Sequence, residues 1–382
     1  MNPVPDVLFA FLGDVRESSR ALRQLRALVD MGASVEVLTL GPAQESRYLA
    51  DGLEVGRRFN VQMLSLSTGR GPAYFRQFDR CASKAAKARG AKVFFASDLF
   101  ALPPMARAAK RHQGRLVFDS RELYSHLDSF VGRQLVRQFW SAVERRYIRH
   151  ADLVFTVNRS IAECIATTYG IELPTVLHNV PPMQNVPRTN KLREDLGISP
   201  DARIALYQGG IRTGRGLPRL IEAARAIEEV AFVIIGSGAL SETLKIQARG
   251  LANVFFLPHI SPDKLLRYTA SADLGVHLLE PTCLNHKLAL PNKIFEYLMV
   301  GLPVVANSLP EIRNVVEDYG VGLVVDPEDA DAVVAAIRRA LYDEEIRASW
   351  RANIPNVFED YSWKKDMQRF QDAISTLLAD IS

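Results

Sequence analysis

Cysteine is scarce here. The 382 residues hold three, Cys81, Cys164 and Cys283, and no two of them have the spacing of a metal site. An odd count excludes a closed disulfide framework and fits a reduced, cytoplasmic protein. A secretory leader is also missing: Met1–Asp6 carries no basic residue, and Val7–Leu12 is too short for the apolar core of one. No stretch reaches about 18 uninterrupted apolar residues, so no membrane span is expected. Neither a low-complexity tract nor a short repeat occurs, which removes disordered and solenoid classes. No Gly-Lys-Ser/Thr triplet follows a strand, so this is not a Walker A protein. The single Asp-x-Asp, Asp329-Ala330-Asp331, lies in an acidic run that suits a helix start. No bound metal and no other cofactor is therefore expected.

What is present is a large apolar content, 48%, and a length suited to two or three domains. The net charge of +4 is uneven: residues 1–185 carry +8 and residues 186–382 carry −4. A basic first half suits an anionic acceptor or membrane surface, or is an excess of solvated arginine. No nucleic-acid module accompanies it.

Along the chain, short apolar runs alternate with helical spacing. Val7–Leu12, Val35–Leu40, Val93–Ala96, Leu116–Phe118 and Val154–Val157 read as strands, with Ala21, Leu22, Leu25, Leu28 and Val29 forming a helix face between the first two. This is the βαβ pattern of a parallel, doubly wound sheet. Three prolines in Val180–Pro187 block helix and ladder alike and mark a linker. A second α/β unit follows, with strands at Ile204–Gln208, Ala231–Ile235, Val254–Leu257, Leu274–Leu278 and Leu323–Asp326. Helices are expected over Leu220–Ile227, Asp331–Leu341 and Trp363–Leu378. Two Rossmann-like halves imply a cleft between them, the usual place for a ligand. The expected domains are 1–183, 184–362 and a crossing helix at 363–382.

Three segments carry candidate chemistry. In Leu290–Ala306, Asn292 is a good N-cap, Lys293 would open the first turn, and Gly301 and Pro303 close the helix. Glu296 stands among Ile294, Phe295, Tyr297 and Leu298, where an apolar residue is expected. A carboxylate there can accept from a ribose diol, while free N–H groups at the helix end attract phosphate. A solvated first-turn Glu is the alternative. In Gly209–Gly216, Gly209 and Gly210 follow a strand and let backbone approach a phosphate, and Arg212 and Arg215 can neutralise a diphosphate. A Gly-rich turn with solvated arginines is the alternative. Gly236-Ser237-Gly238 is a second turn after a strand, common in itself. In the first half, Asp98, Asp119 and Glu122 sit at strand ends, where they can serve either chemistry or helix capping. Phe130–His150 interleaves five arginines with apolar residues. It suits either an anionic membrane surface or a plain amphipathic helix on the sheet.

The Pro291-Asn292-Lys293…Phe295-Glu296-Tyr297 segment, with Gly301-Leu302-Pro303 after it, closely resembles the donor-binding signature of glycosyltransferase family 4, in the subgroup that writes it Pro-Asn-Lys-x-Phe-Glu-Tyr. The resemblance extends over nearly the whole chain. It implies the α/β GT-B fold: two Rossmann-like domains facing a cleft, the first for acceptor and the second for donor, with the C-terminal helix crossing back to the first. It implies that Arg212, Arg215 and Lys293 stabilise the leaving diphosphate. It places Gly236, Gly238 and Asn292 at the donor, and His259, in the Pro258–Ser261 loop, at the base. Asp98 and Glu122 match two acceptor-side segments. Several family positions differ: the first of its two glutamates falls on Leu288, and two histidines are replaced by Ser97 and Arg121. The implied activity is retaining transfer of a sugar from a nucleotide diphosphate, UDP more than GDP. The acceptor would be a saccharide or lipid-linked saccharide of an envelope polysaccharide, with peripheral contact at an anionic membrane. A sugar-nucleotide epimerase and a non-catalytic nucleotide-sugar binder are the rival readings.

Overall fold

The structure, a computed structural model, describes residues 4–41, 59–67 and 71–380. Contacts group the chain into two units: residues up to His178 together with Lys364 onward, and Asn179–Trp363.

The first unit is built on seven strands: β1 Val7–Ala10, β2 Val35–Leu40, β3 Phe59–Leu64, β4 Val93–Ala96, β5 Arg115–Ser120, β6 Leu153–Thr156 and β7 Thr175–Val176. All pairs are parallel, in the order β3-β2-β1-β4-β5-β6-β7. A parallel sheet covered on both faces needs apolar residues throughout a strand, and β4, Val-Phe-Phe-Ala, is buried at every position. The first crossover helix, Ser19–Asp30, begins where the Ser18 hydroxyl accepts from the Ala21 N–H. The last helix, Trp363–Ala379, completes this core: Phe370, Ile374 and Leu377 pack with Phe9, Phe95 and Phe155. The expected strand at Leu116–Phe118 extends to six residues, and β3 was not expected.

The second unit has six parallel strands: β8 Arg203–Gln208, β9 Val230–Ile235, β10 Val254–Leu257, β11 Leu274–His277, β12 Val304–Asn307 and β13 Gly322–Val325. Their order is β10-β9-β8-β11-β12-β13. Separate apolar layers cover its two faces. Helices Leu217–Ala226 and Ala330–Tyr342 pack on one, and Asn292–Met299 and Pro310–Val316 on the other. Each fully buried Leu, Ile or Phe there contributes about 1.5–3 kcal/mol before ordering costs. Residues 177–190 carry no helix or strand. The long helix Glu344–Asp360, which runs through Pro355, was not expected; Trp350, Ile354 and Val357 lie in its buried stripe.

In each sheet the chain reverses its direction of winding once, between β1 and β4 and between β8 and β11. The carboxyl ends of those strands are where such sheets hold ligands. Among the described residues, no helix is long and apolar enough to cross a membrane.

Candidate donor site and its counterpart in the first unit

In the second unit, β8 ends at Gln208 and β11 at His277, side by side at the winding reversal. The turn after β8 begins at Gly209, with φ +132°, a conformation other residues rarely take. A Cβ there would stand 2.7 Å from Lys293 Nζ, so the missing side chain leaves room for the ammonium. Lys293 Nζ lies 4.2 Å from the centre of the Tyr207 ring, a cation–π contact. Tyr207 Oη donates to the Gly210 carbonyl at 2.9 Å, which fixes the ring and the turn together.

Three cations gather at this turn. Arg212 is exposed, Arg215 is half-buried, and Lys293 is half-buried beneath Gly209. Among the described residues none of the three makes a hydrogen bond or an ion pair. Burial and the nearby Arg215 pull the Lys293 ammonium down to about 7, against the opposing pull of Glu296. An ammonium held off its ordinary range within a cluster of like charge is a candidate site for an anion.

Gly236 and Gly238 bring the second glycine turn against the first. A Cβ on Gly236, at φ +151°, would overlap the Gly209 carbonyl at 1.9 Å, and one on Gly238 would meet the Ile211 carbonyl at 2.2 Å. Their lack of side chains lets the second turn lie directly against the first. Ile211 N–H donates to Ser237 O across that contact at 3.0 Å.

The helix of the signature segment runs Asn292–Met299. Its N-cap is Pro291, at φ −74° and ψ 140°, without a side-chain cap bond, which corrects the expectation that Asn292 caps it. Proline's fixed φ already sets the extended entry, so Asn292 becomes the first helical residue. Glu296 accordingly lies beyond the first turn rather than within it. It is half-buried, and Gln208 Nε2 donates to its Oε2 at 2.5 Å. Burial raises the Glu296 carboxyl, with Gln208 and Lys293 opposing. Gln208 Oε1 in turn accepts from the Thr269 hydroxyl at 2.8 Å, and Gln208 N–H donates to Tyr297 Oη at 3.1 Å.

His277 is fully buried, and among the described residues neither ring nitrogen has a hydrogen-bond partner. Burial, then Lys293, Arg215 and His286, hold it well below its ordinary range, so it is neutral. Beside the glycine turn, Thr282 Oγ1 and His286 Nδ1 are 2.9 Å apart, and the Glu280 N–H donates to Gly214 O at 2.9 Å. His259 is exposed after β10. Sequence reasoning missed Gln208, Thr269, Tyr207 and His277. A polar residue closing the apolar run Ile204–Tyr207 just before Gly209 was the one available signal.

The matching edge of the first unit is filled differently. Asp98 is buried, and its two oxygens accept from the Leu12 and Ala101 N–H groups, both at 2.8 Å. It thereby holds the loop after β1 and the start of the helix Leu102–His112. Asp119 is fully buried and clamped by Arg20, through Nε at 2.8 Å and Nη2 at 2.7 Å, with Gln24 Nε2 at 2.9 Å. Arg121 stands over the Phe11 ring at 4.8 Å and donates to Ser18 Oγ at 3.1 Å. Glu122 is exposed just past β5.

Comparison with known proteins adds the family. A Glycosyl transferase 4-like domain matches residues 18–179, and the Glycosyl transferases group 1 domain matches residues 188–357. The chain is 30% identical over 266 residues to the putative colanic acid biosynthesis glycosyl transferase WcaI of Escherichia coli (strain K12). That stretch is 64% of this chain and 64% of that protein, short of two thirds of its length. Anabaena Alr3699/HepE, solved in complex with UDP and glucose, has the same fold, with a TM-score of 0.76 at 17% identity over 97% of this chain and 99% of that one. Sucrose-phosphate synthase from Thermosynechococcus elongatus superposes with a TM-score of 0.79 at 16% identity, over 98% and 99%. With the two domain models in tandem and this fold beneath them, the chain belongs to the family 4-like glycosyltransferases of the GT-B fold.

Proposed function

We propose that this protein transfers a sugar from a nucleotide diphosphate, UDP in preference to GDP, to a saccharide or lipid-linked acceptor during assembly of an envelope polysaccharide, with retention of anomeric configuration. The observation that carries the reading is the Lys293 ammonium, seated under Gly209 against Tyr207 beside Arg215, with no carboxylate paired to it. The UDP complex of HepE and the polysaccharide assignment of WcaI support the donor and the setting.

Departure of the diphosphate is the hard step. The bond from the anomeric carbon to the phosphate oxygen breaks, and negative charge grows on that oxygen. Arg212, Arg215 and Lys293 meet that charge without having to reorganise. The first-turn N–H groups of Asn292 and Lys293 add a helix-end seat for phosphate. Glu296 accepts from the ribose hydroxyls, and the exposed loop at His259 lies against the base. The acceptor oxygen bonds to the anomeric carbon on the face the diphosphate leaves, and its proton passes to the diphosphate, so no enzymic base is required. On the acceptor side, Glu122 meets an acceptor hydroxyl and Asp98 acts by holding the Leu12 loop. No metal takes part.

The test is incubation with UDP- and GDP-sugars, with and without saccharide acceptors. Acceptor-dependent nucleotide release and an α-linked product from an α-linked donor are expected. An isomeric nucleotide sugar formed without acceptor makes the protein an epimerase. Tight nucleotide binding with no release across the panel makes it a binder.

A membrane contact has its own observation. On and before the helix Gln134–Ile148, Val131, Leu135 and Phe139 are 59%, 82% and 60% exposed, and Arg133, Arg137, Arg145, Arg146 and Arg149 are exposed with them. Apolar side chains among arginines suit an anionic bilayer surface. Sedimentation with phosphatidylglycerol vesicles but not phosphatidylcholine vesicles, lost in Leu135→Asp/Phe139→Asp, is the expected result.

A further inference from the structure

Gln208 is 1% exposed and reaches no solvent, yet its side chain joins two helices to one candidate ligand group. Its amide spans from the Thr269 hydroxyl, at the end of the helix Pro262–Thr269, to Glu296 on Asn292–Met299. An ionised carboxylate only accepts, so the amide must turn Nε2 toward Glu296. That leaves Gln208 Oε1 facing the Thr269 hydroxyl, whose one proton lies between Gln208 Oε1 at 2.8 Å and the Leu265 carbonyl at 3.0 Å. The chain of bonds therefore runs one way, from Thr269 through Gln208 to Glu296. Turning the amide over would set Oε1 against the Glu296 carboxylate, oxygen against oxygen, so the Glu296 end fixes the orientation. The backbone N–H of Gln208, donating to Tyr297 Oη, fixes the strand end as well.

This order has a consequence at the ligand. Glu296 Oε2 is spent inside the protein, and among the described residues Oε1 makes no hydrogen bond. The terminal torsion of a glutamate is soft, so by itself the carboxylate plane would turn freely. Gln208 removes that freedom.

We propose that Gln208, backed by Thr269, is a positioning residue that turns the Glu296 carboxylate so that Oε1 meets the ribose hydroxyls of the donor nucleotide. The proposal rests on the donor reading of Glu296 given above. It predicts an effect on discrimination between sugars of the nucleotide, which a residue that merely supports the fold would not produce.

The experiment is calorimetric titration of the full chain with UDP and with 2′,3′-dideoxy-UDP, for the parent, Gln208→Leu, Thr269→Val and Glu296→Gln, with thermal unfolding of each. The parent should prefer UDP by roughly tenfold or more, as hydrogen bonds to a charged acceptor allow. Gln208→Leu should reduce that preference to within about twofold by weakening UDP alone, with dideoxy-UDP bound as before. Thr269→Val, which keeps the shape and loses the donor, should give a partial loss in the same sense. If Gln208→Leu does not fold, Thr269→Val and Gln208→Met decide. Equal weakening of both nucleotides, or an unchanged preference in these variants, overturns the proposal while leaving the donor reading standing. A parent with no preference for UDP over the dideoxy compound, or a Glu296→Gln variant that keeps it, overturns the ribose reading of Glu296 and this proposal with it.

Discussion

The two units place charged side chains at equivalent edges of similar sheets and treat them in opposite ways. In the first unit two buried carboxylates at that edge are bonded from within: Asp119 by the Arg20 fork and Gln24, Asp98 by two backbone N–H groups. In the second, Arg212, Arg215 and Lys293 stand together at the glycine turn without a carboxylate bonded to any of them. A charge answered internally fastens loops and helices to a sheet. A cluster of one sign left unanswered lowers stability and gains it back only when a counter-ion binds. The same strand-end position thus serves the fold in one unit and, in the function proposed above, a ligand in the other.

The sharpest way to break this contrast is to remove an answered charge. Asp119→Ala leaves Arg20 buried and unpaired and should cost about 3–5 kcal/mol of stability, read by urea unfolding. Nucleotide affinity of the folded fraction should be unchanged. A loss of UDP affinity without a loss of stability would make the first edge a ligand site too. Next in size are Arg212→Ala and Arg215→Ala. Neither is bonded to anything among the described residues, so stability should hold or rise slightly. kcat should fall about a hundredfold in each, because charge on the diphosphate matures only in the transition state. Should unfolding, rather than turnover, respond to these two changes, the distinction between the edges collapses.

How much of this was readable beforehand depends on reach along the chain. Strands such as Val35–Leu40, Val93–Ala96 and Val254–Leu257 were legible to the residue, because a buried parallel strand is a short apolar run with turn residues at its ends. Lys293 and the glycine turn stood out as candidate ligand residues because they sit in local motifs. Gln208 was not, since its partners lie 88 and 61 residues away, and an apolar run says which way a side chain faces but not what it will meet. Asp98 shows both sides of the limit. Its bond to Ala101, three residues on, is the capping pattern sequence can suggest, while its bond to Leu12, 86 residues back, appears only on folding. The helix start at Asn292 instead of Lys293 turned on whether proline or asparagine sets the entry, a choice the spacing leaves open.

A smaller effect tests the unanswered cluster through pH. Lys293 titrates near 7 in the ligand-free protein because burial and Arg215 outweigh Glu296. A diphosphate beside it favours the ammonium, so the bound form titrates higher and binding takes up a proton. UDP affinity should fall as pH rises above 7, by at most about tenfold per pH unit. The ligand-free fold should respond in the opposite sense. The unfolded lysine, near 10.5, holds its proton where the folded one has lost it, so this residue's contribution to stability rises between about pH 7 and 10.5. Lys293→Met should remove both slopes while leaving the part that belongs to the nucleotide's own phosphate. A slope in Lys293→Met beyond that phosphate part, or a stability slope that survives there, assigns the titration elsewhere.

The smallest expected effect is that of a chelator. Among the described residues no group of three His, Cys, Asp or Glu side chains is placed to hold a metal ion. The single Asp-x-Asp is occupied with the fold: Asp329 Oδ1 accepts from the Ala332 N–H at 2.9 Å and caps the helix Ala330–Tyr342, with Asp331 in its first turn. Acidic residues at a helix start are favoured by the helix dipole alone. Two arginines and a lysine at the glycine turn, with a helix end beside them, supply the positive charge a divalent ion brings to a leaving diphosphate elsewhere. Sugar transfer should therefore stay within about twofold in EDTA, a margin that leaves room for metal-assisted release of the UDP product. Activity that vanishes in EDTA and returns with Mn²⁺ would mean the three cations do not suffice. The second unit's edge would then need a partner charge from outside, where Asp119 in the first is answered by the protein's own Arg20.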